Sequence, residues 1–185
     1  VPKKQHVLIR FGRWQEILEQ PLPEDAELYS VTTAMIRYSR TVALANSHQL
    51  SDAEGEAKQF AEAFDQVPES RMLFNNTCRD ILRIGEQMLK GELTYHQGHH
   101  SRAFDHLREA VSLDDALPYD EPWGWMQPAR HALGALLLEQ GELTVADAVY
   151  RADLGFDHTL SRPCQHPNNV WSLHGLNECL IRRGE

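Results

Sequence analysis

The sequence, 185 residues long, predicts an all-α fold. Apolar residues recur at the helical spacing i, i+3, i+4 and i+7 along most of the chain, as at Ile81, Ile84 and Met88. Strand signals are nearly absent, since apolar and polar residues show no sustained alternation and no Asn-Gly or Asp-Gly pair joins two apolar runs. Proline-bearing segments interrupt the helical pattern at 21–23, 66–68, 118–128 and 162–167.

Five helical elements follow from this pattern. The first is an orphan helix, whose apolar residues recur at helical spacing between Val7 and Leu18, with a turn expected at 11–14 and no partner helix before it. The proline segments then separate three helix pairs and a terminal helix. The expected bounds are 7–20 for the orphan helix, about 27–66, 76–113 and 126–157 for the pairs, and 169–183 for the terminal helix. Together these elements are expected to form a single domain over 1–185.

The second and third helix pairs share a register. Three matches define it: Gly98 with Gly141, Ala103 with Ala146, and Leu107 with Tyr150. Small residues at such positions let two helices approach closely, whereas a bulky side chain would separate them. Aligned copies start 41 to 50 residues apart, which is longer than the ~34 residues of an uninterrupted repeat of this kind. In the first pair, Thr41 and His48 occupy the places that glycine takes elsewhere.

This register resembles that of tetratricopeptide repeat proteins. More closely, the chain is similar to the C-terminal part of a family of longer, mostly bacterial repeat proteins, in the segments 7–18, 107–125, 128–154 and 166–176. The resemblance implies an open right-handed α-α superhelix, a solenoid that binds a peptide or protein segment in its concave groove. Both ends of the array lack capping elements, so we expect a piece cut from a longer solenoid, or ends covered by another chain.

The groove is expected to be lined by the first helix of each pair. Projecting the repeat positions onto the chain gives these residues: Tyr38, Val42, Asn46, Glu92, Tyr95, His96, His131, Glu139, Asn169 and Ser172. The clamp that holds acidic C-terminal tails needs Lys and Arg at fixed groove places, and those basic residues are missing. Glu92 and Glu139 instead favour a neutral or basic ligand. The alternative is that all of these are ordinary solvated or stacking residues.

The loop over 117–125 is the most unusual segment. It brings together five residues that could contact a ligand: Tyr119, Asp120, Glu121, Trp123 and Trp125. In one interpretation, the carboxylates contact a ligand or metal between aromatic walls. In the other, which we favour, the tryptophan rings cover the gap between repeats and Asp120 or Glu121 caps the next helix.

Histidine and cysteine do not form a convincing metal site. His96 and His100 have the i, i+4 spacing of some metal ligands, but Gly98 interrupts the helix between them. His158, Cys164 and His166 lack the regular spacing of a zinc site. We therefore predict no metal ligand and no cofactor. Cys78 and Cys179 fall within helical patterns and are expected to be buried, and the odd number of cysteines favours a reducing compartment such as the cytoplasm.

The net charge of −9 argues against a nucleic acid or an anionic membrane as partner, because both require a basic surface. The leading prediction is a non-enzymatic scaffold that binds a peptide or protein segment. One alternative is part of a metal-dependent enzyme or ligand-binding protein, in which a missing N-terminal half supplies most of the site and Tyr119, Glu121, His131 or the clustered histidines complete it. A third is a self-assembly module, a homo-oligomer formed through the solenoid ends.

Overall fold

A computed structural model describes residues 3–185, so the first two residues of the predicted domain lie outside it. The all-α prediction is confirmed: 66% of the chain is helical. The helices are α1 Lys3–Arg10, α2 Trp14–Leu18, α3 Ser30–Asn46, α4 Leu50–Asp65, α5 Cys78–His96, α6 His100–Asp115, α7 Ala129–Glu139, α8 Leu143–Leu154 and α9 Val170–Arg183. Across the described residues, none of these helices is both long and apolar enough to span a membrane.

The chain divides into two compact units, which we call the N-terminal unit (Val1–Met126) and the C-terminal unit (Gln127–Glu185). In the N-terminal unit, α3 pairs with α4 and α5 pairs with α6, while α1 and α2 pack against α3. The contacts of Tyr38 with Gly85 and of Asn46 with Glu92 place α3 and α5 side by side in the same direction. In the C-terminal unit, α9 packs against both α8 and α7.

The helix turns repeat one geometry. A residue with positive φ follows the helix at five corresponding places: Gly12 (60°), His48 (57°), Gly98 (83°), Gly141 (80°) and Gly184 (78°). At each place the N–H of this residue donates to the carbonyl three residues earlier. The N–H of the following residue donates to the carbonyl five residues before itself, as His99 does to Thr94. This is the Schellman ending of a helix, in which glycine avoids the steric strain of a left-handed backbone. The same ending also closes α8 at Gly155.

Close helix contacts also recur with one spacing. A Cβ placed on Gly91 of α5 would lie 2.7 Å from the Leu107 side chain of α6, and one on Gly134 of α7 would lie 2.7 Å from the Tyr150 ring of α8. In each pair the glycine and its contact residue are 16 residues apart in sequence. The Tyr150 ring would likewise clash with a side chain at Gly175 of α9. The ring of Tyr150 is therefore held between two helices that must carry glycine where they meet it.

Two features differ from the sequence-based expectation. The range 7–20 holds parts of two short helices, α1 and α2, joined by a turn at Gly12; the turn was expected, but the helix α1 before it was not. A two-stranded antiparallel hairpin, with β1 Met72–Leu73 and β2 Asn76–Thr77, precedes α5 and was not predicted. Strands of two residues are too short to produce an alternating pattern that a sequence could reveal.

Candidate functional site

Three of the predicted groove residues meet on neighbouring helices of the N-terminal unit. We call Asn46 of α3 and Glu92 and His96 of α5 the α3–α5 polar cluster. The Asn46 side-chain amide donates to the Val42 carbonyl (3.0 Å) and approaches Glu92 Oε2 (3.4 Å). The Nε2 atom of His96 lies 3.9 Å from the same carboxylate oxygen. The side chains of Glu92 and His96 are 14% and 15% exposed, so the cluster is mostly covered but reaches the surface.

The tyrosines predicted for the groove belong to the core instead of the accessible surface. Tyr38 is 3% exposed and meets Trp125 edge-on at 5.3 Å between ring centroids. Tyr95 is 5% exposed and lies against the His100 ring at 4.8 Å. Burial raises the pKa of the Tyr38 phenol far above its usual range, and the charge of Glu92 adds to this effect. Val42, also projected onto the groove, is buried as well.

In the C-terminal unit, the predicted residues His131 and Ser172 meet on a carboxylate that the sequence analysis did not single out. Asp153 of α8 is fully buried. Its Oδ2 atom lies 3.2 Å from His131 Nε2 and accepts a 2.5 Å hydrogen bond from Ser172 Oγ. Its Oδ1 atom lies 2.8 Å from His166 Nδ1, and its backbone carbonyl accepts from the His166 N–H. We call these four residues the Asp153 cluster.

The donors explain how a carboxylate remains ionised in the interior. Burial of Asp153 opposes ionisation, but the hydrogen bonds from His131, His166 and Ser172 outweigh burial and lower the pKa of the carboxyl well below its usual range. An ionised carboxylate only accepts, so each imidazole nitrogen that faces it carries the hydrogen. The sequence held one signal for this position. Asp153 follows Ala146 by seven residues and Tyr150 by three, which places a charged residue on the apolar stripe of α8.

The Asp153 cluster differs from a hydrolytic triad in one decisive contact. In a triad the serine hydroxyl donates to the histidine, which removes its proton during attack. Here the Ser172 hydroxyl donates to the carboxylate. The serine is therefore held as a donor and is not activated as a nucleophile. What the cluster does is join α7, α8, α9 and the segment before α9 through one shared acceptor.

Two further groove candidates lie at helix ends. Asn169 is the N-cap of α9, and its side chain accepts a 3.0 Å hydrogen bond from the Trp171 N–H. Such a cap satisfies a backbone donor that the helix cannot satisfy internally. Glu139 is the last residue of α7 and its side chain is exposed. The backbone N–H of Asn169 donates to the His166 carbonyl (3.1 Å), so this cap follows directly after the Asp153 cluster, but its side chain serves the helix end.

The loop over 117–125 is anchored to the β-hairpin. The buried carboxylate of Asp120 accepts from the Asn75 N–H (3.2 Å) and from the Asn76 side-chain amide (2.6 Å). The side-chain amide of Asn75 donates to the Tyr119 carbonyl (2.8 Å), and that of Asn76 also donates to the Pro118 carbonyl (2.9 Å). The predicted cap on the next helix is not formed by this loop, because α7 begins after Pro128. Asp120 is instead used to hold the hairpin and the loop together.

The aromatic residues of this loop have two different environments. Trp125 is buried in the N-terminal unit, where a Cβ on Gly85 would lie 3.2 Å from its ring. Trp123 and Tyr119 are exposed, and the Tyr119 hydroxyl donates to the Glu121 carboxylate. That hydrogen bond raises the pKa of the Tyr119 phenol. The loop thus contributes one aromatic ring to the core and presents two to solvent.

The prediction of buried Cys78 and Cys179 is confirmed, and burial raises the pKa of both thiols. Over residues 3–185, no group of three or more His, Cys, Asp or Glu side chains is arranged to hold a metal ion. His166, which the sequence placed near Cys164, is hydrogen-bonded to Asp153. The alternative of a metal-dependent enzyme completed by another segment stays a prediction.

Comparison of the chain with protein-family models, with curated proteins and with solved structures finds no match. The function is therefore inferred from the geometry of the residues described above.

Proposed function

We propose that the chain is a repeat scaffold of the tetratricopeptide type, an open right-handed solenoid that binds a peptide or protein segment without catalysing a reaction. The observation that supports this proposal is the recurrence of one helix turn, with the same two hydrogen bonds, at Gly12, His48, Gly98, Gly141 and Gly184. A repeated hairpin cannot bury its apolar face alone, so successive hairpins stack and expose a continuous surface made by equivalent helices.

The packing of the N-terminal unit agrees with such stacking. In a solenoid of helix pairs, the first helices of neighbouring pairs lie side by side in the same direction. This is the relation of α3 to α5. The Gln97 side chain at the end of α5 also donates to Glu54 of α4 (2.8 Å), so the second pair contacts both helices of the first.

The α3–α5 polar cluster is the part of this surface best suited to a peptide. The Asn46 amide nitrogen donates within the cluster, and its side-chain oxygen is the group that can accept a hydrogen bond from a peptide N–H. Glu92 places a negative charge beside Asn46. A segment that carries Lys, Arg or a free amino group is therefore favoured over an acidic tail, which Glu92 would repel.

The test begins with selection of peptides from a random library displayed on phage, using the full chain as bait. The selected peptide is then labelled, and its affinity is measured by fluorescence anisotropy. We expect Asn46→Ala and Glu92→Gln each to weaken binding by about tenfold, the size of effect typical of central interface residues. Circular dichroism of each variant checks that it remains folded.

The matched control is Glu109→Gln, which removes one carboxylate from an exposed position of α6. This variant is expected to bind the selected peptide as the wild-type chain does. Failure to enrich any peptide would overturn the proposal, and so would equal affinities for the wild-type chain and the two cluster variants.

A further inference from the structure

A group of large apolar side chains is exposed at the end of the N-terminal unit where the hairpin and the loop meet. Leu28, Tyr29, Met72, Phe74, Tyr119 and Trp123 are all exposed, and we call them the hairpin patch. Hydrogen bonds connect the three segments that carry them. Arg71, next to Met72, donates to the Leu28 carbonyl, and Asn75, next to Phe74, donates to the Tyr119 carbonyl. Clusters of exposed apolar residues on a folded surface are typical of interaction sites.

The backbone beneath the hairpin patch is firmly held. Asp120 is buried and accepts hydrogen bonds from both Asn75 and Asn76, so the tip of the hairpin is fixed to the loop. Pro118 and Pro122 restrict the loop backbone on either side of this anchor. A surface that is already ordered loses little conformational entropy when it binds a partner.

Phe74 stands at a position where folding alone does not favour an aromatic residue. It is the first residue of the two-residue hairpin turn and has φ of 52°, in the left-handed region that favours glycine. Its side chain is 65% exposed, so little of its apolar surface is removed from water by folding. An exposed aromatic ring on a strained backbone is a feature that points to function.

The three segments that carry the hairpin patch together have a negative net charge. The segments 24–29, 69–77 and 117–125 contain exposed carboxylates at Glu24, Asp25, Glu27, Glu69 and Glu121. Their one basic residue is Arg71, which is half-buried and donates to a backbone carbonyl. A surface of this composition repels nucleic acids and anionic membranes and attracts cations. Aromatic rings add a further attraction for Lys and Arg side chains.

We propose that the hairpin patch binds a cationic amphipathic protein segment. Apolar side chains of that segment contact Phe74 and Trp123, and its lysine or arginine side chains pair with Glu24, Glu27 and Glu121. The hairpin patch lies at the start of α5, whereas the α3–α5 polar cluster lies near its end. From Cys78 to Glu92 the helix rises about 20 Å. The two surfaces are therefore separate, and this proposal does not depend on the repeat-scaffold proposal.

The experiment uses the full chain and a labelled synthetic peptide in which leucine and tryptophan alternate with lysine. A second peptide carries glutamate in place of lysine. We expect the lysine peptide to bind, with affinity that falls as salt is added, and the glutamate peptide not to bind. Phe74→Gly should weaken binding by about tenfold. The same variant should leave the thermal midpoint unchanged or higher, because glycine relieves the left-handed backbone. Loss of binding then cannot be attributed to unfolding.

Matched controls separate the hairpin patch from general electrostatics. Phe156→Ser removes another exposed aromatic ring, from the C-terminal unit, and should leave the affinity unchanged. Glu24→Lys with Glu27→Lys should weaken binding, whereas Glu62→Lys with Glu109→Lys, which changes the net charge equally, should have a much smaller effect. Asn46→Ala tests the other surface and should also leave the affinity unchanged.

Three results would overturn the proposal. The first is an affinity of Phe74→Gly within twofold of the wild-type chain. The second is an equal loss in the two pairs of charge reversals. The third is binding of the chain to vesicles of anionic phospholipid in preference to the lysine peptide.

Discussion

The hydroxyl of Ser172 donates a 2.5 Å hydrogen bond to the carboxylate of Asp153 in the interior of the C-terminal unit, where neither side chain is exposed. A carboxylate in such a place requires partners, because an unpaired buried charge is very unfavourable. Three side chains provide them, from α7, from α9 and from the segment before α9. The Asp153 cluster is therefore expected to contribute to stability more than any surface ion pair of this chain.

Asp153→Ala is expected to destabilise the C-terminal unit strongly. The substitution leaves His131, His166 and Ser172 with buried donors that have lost their acceptor. Removing one partner from a buried, charged network costs about 3–5 kcal/mol. Asp153→Asn should have a smaller effect, since the amide oxygen still accepts a hydrogen bond. Urea unfolding of the full chain, followed by circular dichroism, measures both effects.

Glu139→Gln serves as the control for this prediction. It also removes a carboxylate from the C-terminal unit, but at an exposed position at the end of α7. We expect the free energy of unfolding to change by no more than about 0.5 kcal/mol. A loss for Asp153→Ala as small as that of Glu139→Gln would show that the buried cluster contributes little.

The helices and their turns could be predicted from sequence because both depend on neighbours in the chain. Helical spacing acts over one or two turns, and the match of Gly98 with Gly141 identifies two turns whose φ is positive in the structure. The same register aligns His48 with the glycines of the other turns, and the backbone of His48 does have a positive φ, of 57°.

The contacts of the Asp153 cluster and of the hairpin could not be predicted in this way. Asp153 lies 22 residues from His131 and 19 from Ser172, and Asp120 lies 45 residues from Asn75. Such pairs form only when whole helices pack, so no local pattern marks them. Projection of repeat positions onto a helix also does not distinguish a groove face from a buried face. Tyr38 and Tyr95 were therefore assigned to the groove although both are buried.

Acidification is expected to destabilise the N-terminal unit through His6. This side chain is 6% exposed and lies edge-on to Trp125 at 4.7 Å between ring centroids. Burial, together with the charge of Arg10, lowers the pKa of His6 to about 4 from its ordinary value of 6.5. Between these two pH values the unfolded chain binds a proton that the folded unit does not. Stability is therefore complete above pH 6.5 and falls as the pH approaches 4.

The difference between the two pKa values corresponds to about 3 kcal/mol at pH 4. Urea unfolding at pH 7.5 and at pH 4 measures the loss in the wild-type chain, and His6→Phe should reduce it by that amount. His99→Gln, which replaces an exposed histidine, should leave the pH dependence as it is. Parallel losses of stability in the wild-type chain and in His6→Phe would rule out this role for His6.

Two glycines inside helices of the N-terminal unit differ in what surrounds them. A Cβ on Gly91 of α5 would lie 2.7 Å from the Leu107 side chain and 3.4 Å from the Ala103 carbonyl oxygen. A Cβ on Gly55 of α4 would meet no atom within 4 Å. Both backbones have ordinary helical conformations, so alanine introduces no backbone strain at either place. The two substitutions therefore isolate the effect of the neighbouring helix.

Gly55→Ala is expected to stabilise the unit by about 0.5–1 kcal/mol, because alanine loses less backbone entropy than glycine when a helix forms. Gly91→Ala gains the same entropy but forces α5 and α6 apart, and overpacking of this kind costs about 1–3 kcal/mol. Urea unfolding of the two variants should thus give changes of opposite sign. Stabilisation by both substitutions would contradict the close crossing of α5 and α6, on which the equivalence of this pair with α7 and α8 depends.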